Sequence, residues 1–496
     1  VNLDQVRAFP IVRVALLPAL LVGYATAPQG ATPLVIWPCL LIFYGLANLA
    51  LRRPDRLHES IPTFVTIPVL FLAFYYTIFF LPYQLFVLGL FDLGHSVFLR
   101  NTFEDESNRA IILATLGVVS FSLGTVALRS RRQLPPAPLP PDVQGRDISR
   151  TLAPMVLVAQ AALIVTYQVS GWRTAGEGRY TGTTSGGVAA EGISLLILMF
   201  SMIAIALLVA RLAQRQPIGM LIWLAVAVSA YWGTRILLAG DRNSFFLLAI
   251  VAVGGLFTFR FRAARGFLVL MIAAAFVLYG AIEVTRASGN VSLEGLWATI
   301  TEPAPQSDGA DSSFNISTVT VRAGIHSVPS DIDYGYGKYK LIGILGVVPL
   351  LRGYLVGDDS GFITSADVLG YVMLGPTASW GVGTTAVSDT YLDFGTVGVV
   401  AVMFLVGLFA ARVRNLVRER PGSTRVIVIY LTTLALFAEL PRYSIDFPVR
   451  MLVWTALLLG IAEILSRAGK SSTSKAPKKT TALRAKGRHA QALRPM

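Results

Sequence analysis

Residues 193–215 read ISLLILMFSMIAIALLVARLAQR. No charged side chain falls between Ile193 and Ala210, and Arg211 and Arg215 then close the run. A run of about 20 apolar residues matches the hydrocarbon thickness of a bilayer when it is helical. A helix also satisfies its own backbone polar groups where no water can do so. The basic ending marks the cytoplasmic side, because lysine and arginine accumulate in short cytoplasmic loops. The segment therefore predicts a transmembrane helix that exits into the cytoplasm.

Outward from it, similar runs fall at Ile11–Ala27, Ala31–Ala50, Ile61–Leu81, Ala110–Leu128 and Thr151–Ser170 on the N-terminal side. On the C-terminal side they fall at Ile218–Leu238, Ser244–Phe259, Gly266–Val284, Phe394–Ala411, Val426–Leu440 and Met451–Leu465. The expected fold is all-α, a polytopic membrane helix bundle of about twelve transmembrane helices. Composition agrees: of 496 residues 54% are hydrophobic and 14% charged, against roughly 25% charged in a soluble protein. The formal net charge of +14 then reads as basic loops against anionic lipid. The basic-aromatic interleaving of a nucleic-acid groove is absent, so no nucleic-acid partner is expected.

Every even-numbered span empties into arginines: Arg52 and Arg53, Arg129 to Arg132, Arg211 and Arg215, Arg260 to Arg265, and Arg412 to Arg425. Both termini are accordingly expected in the cytoplasm. The start, VNLDQVRAFP, has no cleavable signal pattern, and the first helix is expected to stay in the membrane. Residues 1–284 would carry spans one to nine and residues 394–466 the last three. A basic, disordered tail would follow over 467–496. Between spans nine and ten lies a long external loop, residues 285–393, far beyond ordinary connection lengths. Its apolar stretch LIGILGVVPLL is too short to span and predicts an interfacial or re-entrant helix. The single cysteine, Cys39, excludes an intramolecular disulfide and a cysteine metal cluster.

Candidate chemistry gathers on the external side. Arg235 lies inside the end of a span, where a charge is costly unless a polar cavity or an anion meets it. Arg242, Arg322, Arg352, Arg442 and Arg450 add cations where the positive-inside bias disfavours them. Guanidinium groups fork onto phosphate oxygens, so an anionic ligand explains the set better than chance, although Arg442 could instead pair with Asp446. Asp389 and Asp393 flank Tyr391 at the entrance to span ten, Glu439 lies within span eleven, and His326 follows Arg322 by one turn. The DID at Asp331–Asp333 reads as an Asp-rich turn. No nucleotide, haem or zinc motif occurs, and neither a cofactor nor a metal is expected.

The C-terminal half resembles the Wzy-type O-antigen and capsular polysaccharide polymerases, the oligosaccharide repeat unit polymerases. The resemblance rests on GTRILLAGDRNSFF, TVTVRAG, KYKLIGILGVVPLLRG and GTTAVSDTYLDFGTVGVV, over roughly residues 230 to 450. The last stretch holds the Gly-rich entry, acid, Tyr and Asp-Phe-Gly of such polymerases at Gly383, Asp389, Tyr391, Asp393, Phe394 and Gly395. The resemblance implies a bacterial cytoplasmic-membrane glycosyltransferase. Acting on the external face, it would polymerise polyprenyl-diphosphate-linked oligosaccharides into a surface polysaccharide. On this reading Arg235, Arg242, Arg322 and Arg352 bind diphosphate. Asp389, His326 and Glu439 are the candidate catalytic groups, and Tyr391, Asp393, Arg442 and Arg450 are further site residues. Donor and acceptor lipids are the expected partners, and the resemblance admits a chain-length regulator and a flippase. An O-antigen ligase-like transferase and a lipid-linked sugar flippase are the alternatives.

Overall fold

The structure is a computed structural model that describes residues 3–52, 55–58, 61–94, 96, 98–128, 148–174, 185–262, 264–287, 292–301, 313–348, 362–377 and 381–473. Helices α1 (Leu3–Ala25) and α2 (Pro33–Leu51) lead to a small antiparallel hairpin, β1 (Asp55–His58) and β2 (Ile61–Thr63). Then come α3 (Ile67–Phe79), α4 (Leu81–Val87), α5 (Ser107–Ala127), α6 (Ser149–Val169), α7 (Gly187–Ala213) and α8 (Met220–Leu238). Helix α9 (Arg242–Phe259) contains a π turn at Ile250–Gly254. Helices α10 (Arg265–Ala287), α11 (Leu293–Thr301), α12 (Ser313–Ser327), α13 (Lys338–Leu345) and α14 (Ser365–Leu374) follow. The chain ends in α15 (Ala386–Glu419), α16 (Thr424–Glu439) and α17 (Asp446–Thr473).

Among the described residues ten helices are long and apolar enough to cross a bilayer. The pair α3 and α4, bent by 49°, makes an eleventh if it is one span. The expected first span falls on α1, whose described apolar part is Arg13–Ala25. The chain is therefore an all-α, multi-pass membrane protein.

Packing explains the order of the bundle. Lipid tails are as apolar as leucine, so helices in a membrane associate through close packing and polar contacts rather than through burial alone. Helix α5 crosses α15 at Gly124 and Gly407, where a Cβ on either would stand 2.2 Å from the partner's backbone oxygen, Phe404 O or Phe121 O. Elsewhere Gln160 of α6 donates to Ser201 Oγ of α7 (2.7 Å) and Ser229 Oγ of α8 (3.0 Å), which ties three helices by one buried amide.

Three sequence expectations change. The third span does not begin at Ile61: the hairpin occupies residues up to Thr63, and the helix breaks at Phe80, just before Pro82. The helix of the tenth span begins at Ala386, ahead of the expected Phe394, because Thr385 and Ser388 form a capping box that starts it early. Part of the long loop is core rather than interface. Val319, Thr320, Arg322 and Ala323 of α12 have no exposed surface, and α12 packs on α3, α5, α14 and α15. The proline-rich segment near residue 135 and the tail from residue 474 lie outside the described residues.

Candidate functional site

The site starts from a broken helix. Gly395 within α15 has φ 65° and ψ −160°, the left-handed region that glycine occupies without a Cβ penalty. On the N-terminal side of the break, Leu392 O accepts from Gly335 N (2.9 Å) and Asp393 O from Tyr336 N (2.9 Å). The chain before α13 thus supplies backbone donors to carbonyls beside an interrupted ladder. From Gly395 to Glu419 the helix still runs about 37 Å at 1.5 Å per residue. That length crosses a bilayer unaided, so the turns carrying Asp389 and Asp393 are free for another task.

Asp393, fully buried, caps α13 from outside. Its Oδ1 accepts from Gly337 N (3.1 Å) and Tyr339 N (3.2 Å), and its Oδ2 from Lys340 N (3.1 Å). A carboxylate at a helix N-terminus satisfies amides that have no partner within the helix. Lys340 Nζ completes the arrangement. It sits 3.2 Å from Asp393 Oδ2 and 2.7 Å from Asp389 Oδ1, and donates to Asp389 O at 2.8 Å. Asp389 also accepts from Ser365 Oγ (2.6 Å) and from Ile445 N (2.9 Å). Two buried carboxylates thus share one ammonium, which is how such charges persist out of water. Tyr391 stands beside them, its hydroxyl bonded to Tyr24 Oη (3.1 Å) and Val328 O (3.3 Å).

A second cluster lies at the start of α9. Arg242, nearly fully buried, pairs with Glu283 (3.0 Å) and lies 4.2 Å over the Tyr279 ring. Arg442 lies 5.4 Å from the same ring and donates to Asn243 Oδ1 at 2.8 Å. That atom also accepts from Tyr279 Oη at 3.4 Å. Glu439 is buried one turn before Arg442. Tyr443 follows, and its pKa is raised first by burial and then by the charge of Glu439. Ile445, whose amide holds Asp389, lies only three positions after Arg442. That stretch of chain spans at most about 11 Å, so a short piece of backbone links the two clusters.

The structure brings together Asp389, Tyr391 and Asp393, and separately Arg242, Arg442 and Glu439. It does not join the others to them. Arg235 stacks over Tyr167 (5.0 Å) and Trp232 (4.8 Å), whereas Arg242 faces Tyr279, so the two do not share an aromatic neighbour. Asp446, the alternative partner for Arg442, pairs with Arg450 (3.0 Å), one turn further along α17. His326 is exposed and stacks on Phe103 (centroids 5.1 Å apart). Arg322 is buried on the opposite side of α12 from Thr320, whose hydroxyl meets Ser388. Arg352 lies outside the described residues. Asp331 and Asp333 are exposed on a turn, and among the described residues no three His, Cys, Asp or Glu side chains gather as a metal site.

Lys340 is the residue that sequence reasoning missed. Its signal was a lysine at the head of the apolar run KYKLIGIL, where an ammonium needs a buried acid. Compared with known proteins, the chain matches no family model, no curated protein and no solved structure.

Proposed function

We propose that this chain is a glycosyltransferase of the bacterial cytoplasmic membrane, polymerising oligosaccharides carried on polyprenyl diphosphate at its external face. The observation that carries the reading is a buried, lysine-held carboxylate, Asp389, whose backbone partner Ile445 lies three positions after Arg442, which shares one aromatic ring with Arg242. Glycosyl transfer needs those two functions. A bond forms between the acceptor hydroxyl oxygen and the anomeric carbon as the bond from that carbon to the diphosphate oxygen breaks. The hydroxyl proton passes to a base, for which Asp389 is the candidate. The leaving diphosphate gains negative charge, which oriented guanidinium groups stabilise. Asp393 and Lys340 position Asp389 rather than react.

The test is transfer by the purified protein in detergent, given lipid-linked repeat units. A ladder of lengthening glycans is expected, and its loss in Asp389→Asn. Transfer of single units to a lipid A core acceptor, without a ladder, would make the enzyme a ligase. A second reading, transport of the same lipid, draws on the break at Gly395 and the 49° bend between α3 and α4, since transporters build sites at interrupted helices. Movement of lipid-linked sugar across vesicles without any glycan product would select it.

A further inference from the structure

Arg322 is a fully buried cation that the proposed transfer does not use. Its Nη1 donates to Leu93 O at 3.2 Å. Its Nε and Nη2 have no hydrogen-bond partner among the described residues, and the buried hydroxyls of Tyr83 and Ser107, which face each other, have no other partner there. The Nε–Nη2 edge is the side of a guanidinium that presents two parallel N–H groups, the fork that receives an anion. Tyr83 comes from α4, directly after the bend. Ser107 is the first residue of α5, directly after the acidic turn Glu104–Glu106. Helix α12 packs against both elements. Burial lowers the Arg322 pKa, and the charges of Tyr83 and Glu104 oppose that shift.

We infer that Arg322, Tyr83 and Ser107 form a closed binding site for a small monovalent inorganic anion, of halide or nitrate size, separate from the transfer site. Three arguments select that ligand. A buried guanidinium without an opposite charge is strongly disfavoured, and one negative charge balances it where neutral water does not. The carboxylate nearest in charge, Glu104, is exposed, and its Oε2 lies against Gly94. The unpartnered atoms are enclosed, so a polyprenyl diphosphate has no path to them without opening the bundle. The anion would tie α4, α5 and α12 together across the bend, as a counter-ion built into the fold.

The test is the melting temperature of the purified full chain in detergent, with gluconate as the starting anion. Chloride or nitrate is added at constant ionic strength, and pyrophosphate is run in parallel. A saturable rise with chloride and nitrate is expected, as for any ligand that binds only the folded state. The rise should vanish in Arg322→Met. If that variant does not fold, Tyr83→Phe and Ser107→Ala should each move the anion midpoint upward by roughly tenfold, the loss of one hydrogen bond to a charged group. An unchanged melting temperature in chloride and nitrate would overturn the site. So would midpoints equal to the parent's in both hydroxyl variants. A rise with pyrophosphate alone would overturn it too, returning Arg322 to the diphosphate.

Discussion

At the scale of single residues, Lys340 and Asp389 depend on each other but contribute differently. Lys340→Met leaves Asp389 and Asp393 buried side by side without a cation, a loss of the kind that costs about 3–5 kcal/mol. The variant should melt well below the parent in detergent, whatever the protein does. Asp389→Asn keeps size but exchanges one acceptor oxygen for a donor, and it removes the base. Glycan transfer should fall by on the order of 10²- to 10⁴-fold, the usual worth of a positioned base, while melting changes far less. Equal transfer by Asp389→Asn would remove Asp389 from the chemistry. The arginines separate in the same way. Arg242→Lys and Arg442→Lys keep charge yet lose the fork, and each should cost transfer on the order of tenfold. Arg235→Lys retains a cation over Tyr167 and Trp232 and should cost less. The residue types of the site could be read from the sequence, but their partners could not. Asp446 pairs with Arg450 because the helix start falls at Asp446, a boundary that hydropathy does not mark.

At the scale of elements, α13 and the broken α15 form one unit. Asp393 gives α13 its N-terminal acceptor, and the chain before α13 gives α15 two donors at its break. Asp393→Ala should therefore loosen α13 rather than α15. Amide hydrogen exchange at Gly337, Tyr339 and Lys340 should accelerate, with little change along residues 396–419. Gly395→Ala should act on both, since φ 65° with ψ −160° costs a residue with a Cβ about 1–3 kcal/mol. Unaltered exchange at Gly337 to Lys340 in Asp393→Ala would show that α13 is held by its packing on α17 instead. Elements of this kind are where sequence reading ran short. The stretch before Phe394 is polar enough to read as loop, yet the Thr385–Ser388 capping box starts the helix there. Helix α12 contains Asn315, Ser317, Thr318 and Thr320, a composition that hides its burial. Its polar side chains find partners such as Ile78 O and Ser388 Oγ, a match only the fold reveals.

At the scale of the whole molecule, long apolar runs and their arginine endings made the bundle legible, because in lipid the backbone has few alternatives to a helix. Orientation is the part that a single labelling experiment decides. In the proposed orientation, which the arginine endings support, the α15–α16 turn faces the cytoplasm and the α12–α13 connection lies outside. Two positions report on these faces with little structural cost. Asp331 is exposed after α12, and its backbone amide alone is engaged, with Ser327 O at 2.9 Å. Gly422 is exposed in the turn after α15, a Cβ there meets nothing within 4 Å, and its carbonyl contact to Gln214 survives substitution. The only native cysteine, Cys39, is 3% exposed and should stay silent. Asp331→Cys should react with a membrane-impermeant thiol reagent on intact cells, and Gly422→Cys only after permeabilisation. The reverse pattern would invert the bundle and put Asp389, Lys340 and the arginine pair on the cytoplasmic side. Polymerisation of an already exported lipid-linked unit could not then occur there. Asp331→Cys also removes one acid of the DID turn, so undiminished transfer by that variant would keep the turn out of the chemistry.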